Sequence, residues 1–310
     1  MTGKGNNYTA IWSNGFVSYR YWSEKNEEEK PMETNIAEKE VQSLTEAPGQ
    51  TGKIKKLVIL RHGESVWNRE NRFTGTADVD LSNTGIEEAA EAGKLLKQAG
   101  FQFDKAYTSA QKRTIHTDGI VRIHAEQAHL IPVHDERMNE RDYGKLTGLI
   151  KTDPKTLEKH GEIIKQSRRG YSARPPGGES LEDVHLNRVK PFYEEVLAPL
   201  LKNSGQKASH EGHVDTFNKN LPSEDMDGMQ IYNSALPEDV ENILITGHGN
   251  SLRALLIVAG AETTESIEYV ELATGVPEVL EFSDDGKYLR RYKLEPQPEP
   301  VVAPVPELAF

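Results

Sequence analysis

The sequence predicts an α/β fold: a three-layer sandwich in which a mostly parallel central sheet carries helices on both faces. Three observations carry that expectation. Short apolar runs alternate with amphipathic helical stretches in the order βαβαβ, the pattern of a doubly wound sheet. The runs Leu57-Val58-Ile59-Leu60 and Ile243-Leu244-Ile245 have no polar alternation, so both of their faces must be covered. Both runs pass directly into a polar, glycine-bearing loop, Arg61-His62-Gly63 and Gly247-His248-Gly249, at the strand end where such sheets hold ligands.

Taken in order, residues 1–55 read as a disordered N-terminal extension: an aromatic stretch (Tyr8, Trp12, Phe16, Tyr19, Tyr21, Trp22) precedes an acidic tract from Glu24 to Gly52 that is too polar to build a core. A single catalytic domain is expected over 56–294. Its first strand, 57–60, is followed by a helix that starts at Ser82-Asn83-Thr84-Gly85 and stops at Gly100, because a small hydroxyl residue caps and glycine terminates. A strand over 103–108, a helix over 109–126 and a short strand over 130–133 come next. Residues 153–166 and 181–202 are predicted helical, the second kinked at Pro191, whose ring removes a helix donor. Residues 203–239, rich in Gly, Asn, Ser and Asp and without periodicity, read as a surface insertion on the amino-end side of the sheet. Order returns with the strand 243–246, the helix 252–258 and a hairpin of 276–282 with 288–292. The residues 295–310 form a Pro-rich tail.

Composition narrows the chemistry. The 49 acidic against 37 basic side chains give a net charge of −12, which argues against non-specific nucleic-acid binding and requires any anionic ligand to meet a local cluster of cations. The absence of cysteine excludes disulfides, thiolate metal sites and a cysteine nucleophile. No apolar run approaches the roughly 20 residues that cross a bilayer, so no membrane partner is expected. The cytoplasm is the default location; the first 23 residues, free of Asp and Glu, leave organelle targeting open. His210-Glu211-Gly212-His213 matches no zinc spacing, and no metal is expected. His116, His124, His129 and His134 read as structural.

The two glycine-flanked histidines would meet if their strands are neighbours. A neutral imidazole can attack phosphorus, glycine lets the backbone come close, and cations such as Arg61 and Arg113 would hold the equatorial oxygens. A lone histidine after a strand is more often structural; two such loops with Arg113 at a helix start reverse that preference.

The segments Leu57-Val58-Ile59-Leu60-Arg61-His62-Gly63-Glu64-Ser65-Val66-Trp67-Asn68, Asn71-Arg72-Phe73-Thr74-Gly75, Asn139-Glu140-Arg141-x-Tyr143-Gly144 and Gly247-His248-Gly249-Asn250-Ser251 resemble the histidine phosphatase superfamily, and within it the cofactor-dependent phosphoglycerate mutases. The resemblance spans 57–202 and 241–294. It implies that His62 is the phosphorylated nucleophile, that Arg61, Arg113 and His248 hold the phosphoryl group, and that Glu140 is the acid and base. Ser65, Asn68, Thr74, Gly75, Gly249 and Asn250 would assist around the phosphate, while Tyr143, Lys151, Arg168 and Arg169 would bind the carboxylate and second phosphate of a small phosphorylated acid. It further implies 2,3-bisphosphoglycerate as phosphoryl primer, interconversion of 3- and 2-phosphoglycerate, and no metal; homo-oligomerisation stays open. Asp142, Ile150 and Ser167 depart from the residues usual in that family, so the substrate wall differs from the usual one. The alternatives are a phosphatase of the same superfamily, acting on a small phosphoester, and a non-catalytic regulator that uses its aromatic extension and acidic insert.

Overall fold

The computed structural model describes residues 8–13 and 16–21 as backbone, and residues 53–202 and 240–296; the predicted insertion and nearly all of the Pro-rich tail lie outside them. Met1–Thr51 and Gly52–Phe310 are two units. In the first, β1 (Tyr8–Ser13) pairs antiparallel with β2 (Phe16–Tyr21), with Tyr8 opposite Tyr21 and Ser13 opposite Phe16. The rest of the expected extension, up to residue 52, lies outside the described residues.

The second unit is the three-layer α/β sandwich that the sequence predicts. Its strands are β3 (Lys55–Arg61), β4 (Lys105–Thr108), β5 (Val133–His134), β6 (Asn242–Gly247), β7 (Pro277–Phe282) and β8 (Tyr288–Lys293), in the spatial order β5-β4-β6-β3-β7-β8. The first four of that order run parallel, and the β7–β8 hairpin adds antiparallel to β3. Unbroken apolar runs follow from burial on both faces. Leu57, Ile59, Ile243, Ile245 and Leu280 enter one core with the helical run over 181–201 and the helix Gly249–Val258. Val58, Leu60, Leu244 and Val279 enter the other, with Ala89, Ala92, Leu96 and Val121. Each fully buried Leu or Ile contributes about 1.5–3 kcal/mol.

The helices are α1 (Val66–Arg69), α2 (Asn83–Gln98), α3 (Lys112–His124), α4 (Pro154–Arg169), α5 (residues 181–201) and α6 (Gly249–Val258). Ser82 caps α2 by accepting from the Gly85 N–H, and Asp153 caps α4 by accepting from Thr156 N. Pro191 does not break α5. The helix instead widens into π-type turns at His185–Val189 and Tyr193–Leu197 on either side of it, which redistributes the carbonyls that a proline cannot serve. The third strand is displaced from its predicted place. Tyr107 and Thr108 pair with Val133 and His134, whereas Ile131 is 82 % exposed, so register against β4 rather than local hydrophobicity places this edge. Among the described residues no helix is long and apolar enough to cross a membrane.

Candidate active site

β3 and β6 are neighbours, with Arg61 opposite Gly247, and the His62 amide donates to Gly247 O at 3.0 Å. This pairing puts both histidine loops at one end of the sheet, their ring centroids 5.0 Å apart and edge-on. The loop after β3 is pressed against the start of α2. A Cβ on Gly63 would lie 2.2 Å from Gly85 O, and one on Gly85 would lie 2.1 Å from Glu64 O, so only glycine fits at either side of the crossing. The Gly63 N–H donates to Thr117 Oγ1 of α3 at 3.1 Å, which fixes the loop from below.

His62 is 3 % exposed. Its Nδ1 lies 2.7 Å from Gly63 O, which can only accept, so the proton sits on Nδ1 and Nε2 keeps its lone pair. Arg113 Nε points at that lone pair from 3.3 Å. Burial, reinforced by Arg113 and Arg61, holds the His62 imidazole well below its ordinary 6.5. Burial followed by Arg113, His62 and Arg61 does the same to His248. Both rings are neutral at physiological pH.

Arg113 is fixed from three sides. Nη1 donates to Ala77 O at 2.9 Å, Nη2 to Gly75 O at 2.9 Å, and Nη2 also to Gln111 Oε1 at 3.2 Å. Burial lowers it to about 10 although Glu140 and Asp78 pull the other way, so it remains a cation. Arg61 Nη1 donates to Leu272 O at 2.9 Å, and its buried Nε has no hydrogen-bond partner among the described residues. His248 Nε2 lies 2.8 Å from Ser109 Oγ, and its buried Nδ1 likewise has no partner. Thr74 Oγ1 is a further buried atom without a partner. Unsatisfied donors of this kind cost stability unless a ligand takes them up. Arg61 Nε, Arg113 Nε and His248 Nδ1 together have the makings of an oxyanion clamp.

Glu140 is 8 % exposed. Its Oε1 accepts from Arg141 N at 2.7 Å and from Asn250 Nδ2 at 2.9 Å. A Cβ on Gly249 would lie 3.8 Å from both Glu140 Oε2 and Arg61 Nε, which places the second carboxylate oxygen beside the clamp. Asn250 Nδ2 is also 3.1 Å from the Tyr143 hydroxyl, so Asn250 positions Glu140 and Tyr143 together.

A narrow polar cavity of about 50 Å³ is lined by Arg61, His62, Asn68, Phe73, Thr74, Gly75, Arg113, Glu140, Tyr143 and Lys151. Ser65 is fully buried, and its hydroxyl is engaged with Asn68 in capping α1. Arg168 and Arg169 end α4, and their side chains lie outside the described residues. The departures at Asp142, Ile150 and Ser167 do not line the cavity. The Asp142 carboxylate turns onto the Gly144 N–H at 2.7 Å, and Ser167 offers its carbonyl to Arg141 Nη2 at 2.9 Å.

Sequence reading missed the supports of this site. Ser109 holds His248, Thr117 holds the His62 loop, and Gln111 bridges Arg113 to Glu140. Arg188 of α5 donates to Asn139 O at 3.1 Å and to Glu179 Oε2 at 2.8 Å. Ser109 and Gln111 flank Arg113 in sequence, so their proximity was legible and their function was not; Arg188 carried no local signal.

A model of the histidine phosphatase superfamily, branch 1, matches residues 57–233. Among solved structures the fold is similar to a mycobacterial glucosyl-3-phosphoglycerate phosphatase (TM-score 0.54, 21 % identity, 73 % of this chain and 92 % of that one). It is similar to the alpha-ribazole phosphatase of Shigella flexneri (TM-score 0.55, 20 % identity, 77 % and 96 %). It is also similar to a phosphoglycerate mutase of Bacillus anthracis (TM-score 0.51, 20 % identity, 77 % and 92 %).

Proposed function

The chain belongs to the histidine phosphatase superfamily, branch 1, and we propose that it hydrolyses a small phosphomonoester through a phosphohistidine at His62. The observation that carries this reading is the neutral, buried His62, whose Nε2 lone pair faces Arg113 Nε. Nε2 attacks phosphorus in line, the ester P–O bond breaks, and its electron pair leaves on the alcohol oxygen, which takes a proton from the Glu140 carboxyl group. Arg61 Nε–H, Arg113 Nε–H and, in the tautomer where Nε2 accepts from Ser109, His248 Nδ1–H carry the charge on the equatorial oxygens. Water then attacks the phosphohistidine and gives its proton to Glu140, and the P–N pair returns to Nε2. The phosphatases among the similar folds support water as the acceptor.

A second reading, interconversion of 3- and 2-phosphoglycerate, shares the first half-reaction and replaces water by the neighbouring hydroxyl of the bound acid. Lys151 on the wall of the same small cavity favours it, because a second cation suits a second anionic group, and so does the motif resemblance. Under this reading 2,3-bisphosphoglycerate would be the primer that supplies the phosphoryl group to His62. Arg61 and Arg113 would take one of its phosphates, and Lys151 would take the other.

Incubation with 3-phosphoglycerate, with and without 2,3-bisphosphoglycerate, separates the two readings. Phosphate release independent of primer is the expected result, and primer-dependent 2-phosphoglycerate would give the second reading its place. In either case acid-labile, base-stable labelling is expected in the wild type and absent in His62→Ala. Labelling that survives the substitution would remove His62 as nucleophile.

A further inference from the structure

We infer that Gln111 is a positioning residue that ties the acid/base carboxylate to the phosphoryl clamp. This rests on the functional reading of Glu140 and Arg113 given above. Gln111 stands at the N-cap of α3 and is 5 % exposed, yet its side chain makes no capping bond. It points across the site instead. Oε1 accepts from the Glu140 amide at 2.9 Å and from Arg113 Nη2 at 3.2 Å, while Nε2 donates to Gly75 O at 3.1 Å.

The partners fix the orientation of the amide: two donors face one end and a carbonyl faces the other, so only glutamine with Oε1 toward Glu140 satisfies all three. Gly75 O also accepts from Arg113 Nη2 at 2.9 Å, which closes a ring of hydrogen bonds between the amide, the guanidinium group and the carbonyl. The backbone extends the link. Gln111 N donates to Ser109 Oγ at 3.2 Å, and Ser109 Oγ contacts His248 Nε2 at 2.8 Å. Glu140 and Arg113 are 27 positions apart in the chain and lie on separate elements, so their relative placement depends on such a bridge. An apolar residue of similar size would leave the buried Glu140 N–H unpaired and free the loop that carries the carboxylate.

Leaving-group dependence distinguishes positioning from simple stabilisation. An alkyl phosphate such as β-glycerophosphate needs a proton on its departing oxygen, whereas p-nitrophenyl phosphate loses a stable anion. Gln111→Leu is expected to lower the single-turnover rate of leaving-group release, the step before water attacks, about 10- to 100-fold for the alkyl ester and less than about threefold for the aryl ester. Gln111→Glu keeps the acceptor for the Glu140 amide, so it should restore most of the alkyl-ester single-turnover rate. Its carboxylate competes for Arg113, so the same variant should bind orthovanadate more weakly. Equal losses on both esters, or no loss, would overturn the inference. Hydrogen exchange at the Glu140 amide reads the bond without turnover: protection should fall about 10-fold or more in Gln111→Leu and persist in Gln111→Glu, and unchanged protection in the leucine variant would refute it. Absence of phosphohistidine in the wild type would instead count against the functional reading, with amide exchange still deciding the bond.

Discussion

Two imidazoles, two guanidinium groups and a carboxylate share one buried space, and the consequence is felt first in the protonation of the imidazoles. His62 and His248 are held well below 6.5, chiefly by burial and then by Arg113. Below pH 6.5 the unfolded chain takes up protons that the folded rings refuse. Stability supplied by the neutral rings is therefore complete above the unfolded value and is lost as pH falls toward the folded one, at up to about 1.4 kcal/mol per pH unit for each ring. Thermal unfolding of the wild type at pH 6.5 and 5.5 should show this loss. The corresponding loss should be smaller in His248→Gln, which has no ring to protonate; an equal loss would mean that His248 is not held neutral. Under the proposed mechanism the same shift keeps His62 competent as the nucleophile in weak acid, so the decline of kcat/KM due to His62 protonation should lie well below pH 6.5.

At the scale of elements, the site depends on close approaches that only particular residues allow. α2 and the loop after β3 touch backbone to backbone at Gly63 and Gly85. Alanine normally favours a helix over glycine by about 1 kcal/mol, but at Gly85 its Cβ would meet Glu64 O at 2.1 Å. Gly85→Ala should thus destabilise by about 1–3 kcal/mol in denaturant unfolding. Gly119→Ala in α3, where nothing among the described residues lies within 4 Å, should have the opposite sign; matching signs would contradict the geometry. α3 also shows why its role was hard to read. Its buried face is Arg113, Thr114, Thr117, Asp118 and Val121, a mostly polar stripe that contributes hydrogen bonds to the site more than hydrophobic packing. Periodicity in hydrophobic residues cannot reveal such a face, and the three residues 109–111 predicted as helix are loop because Ser109 and Gln111 reach into the site.

At the scale of the molecule, chemistry and insertion attach at opposite ends of one strand. Val240 lies just before β6 and His248 just after it, eight steps that span about 26 Å at the usual rise per residue. Lys202, on the other side of the insertion, lies two residues after Leu200, whose carbonyl accepts from Lys55 Nζ at 2.7 Å at the start of β3. Replacing residues 203–239 by a short Gly/Ser linker should leave kcat/KM for a phosphomonoester within about twofold. A loss of an order of magnitude would place part of that segment at the site.

The sequence by itself determined the sandwich and the candidate reactive groups at its strand ends. Unbroken apolar runs demand burial on both faces, and glycine-flanked histidines after two of those runs demand a ligand at the strand ends. It also carried the family, through segments that remain contiguous in the chain. Only the tertiary structure decided how those groups work together. His62 and His248 are 186 positions apart and meet because β3 pairs with β6. The register of β5 and the Gln111 bridge were equally invisible, because each is set by a partner distant in sequence. Local preferences choose an element's type, whereas hydrogen-bond pairing and burial between elements fix its register and the protonation of its side chains.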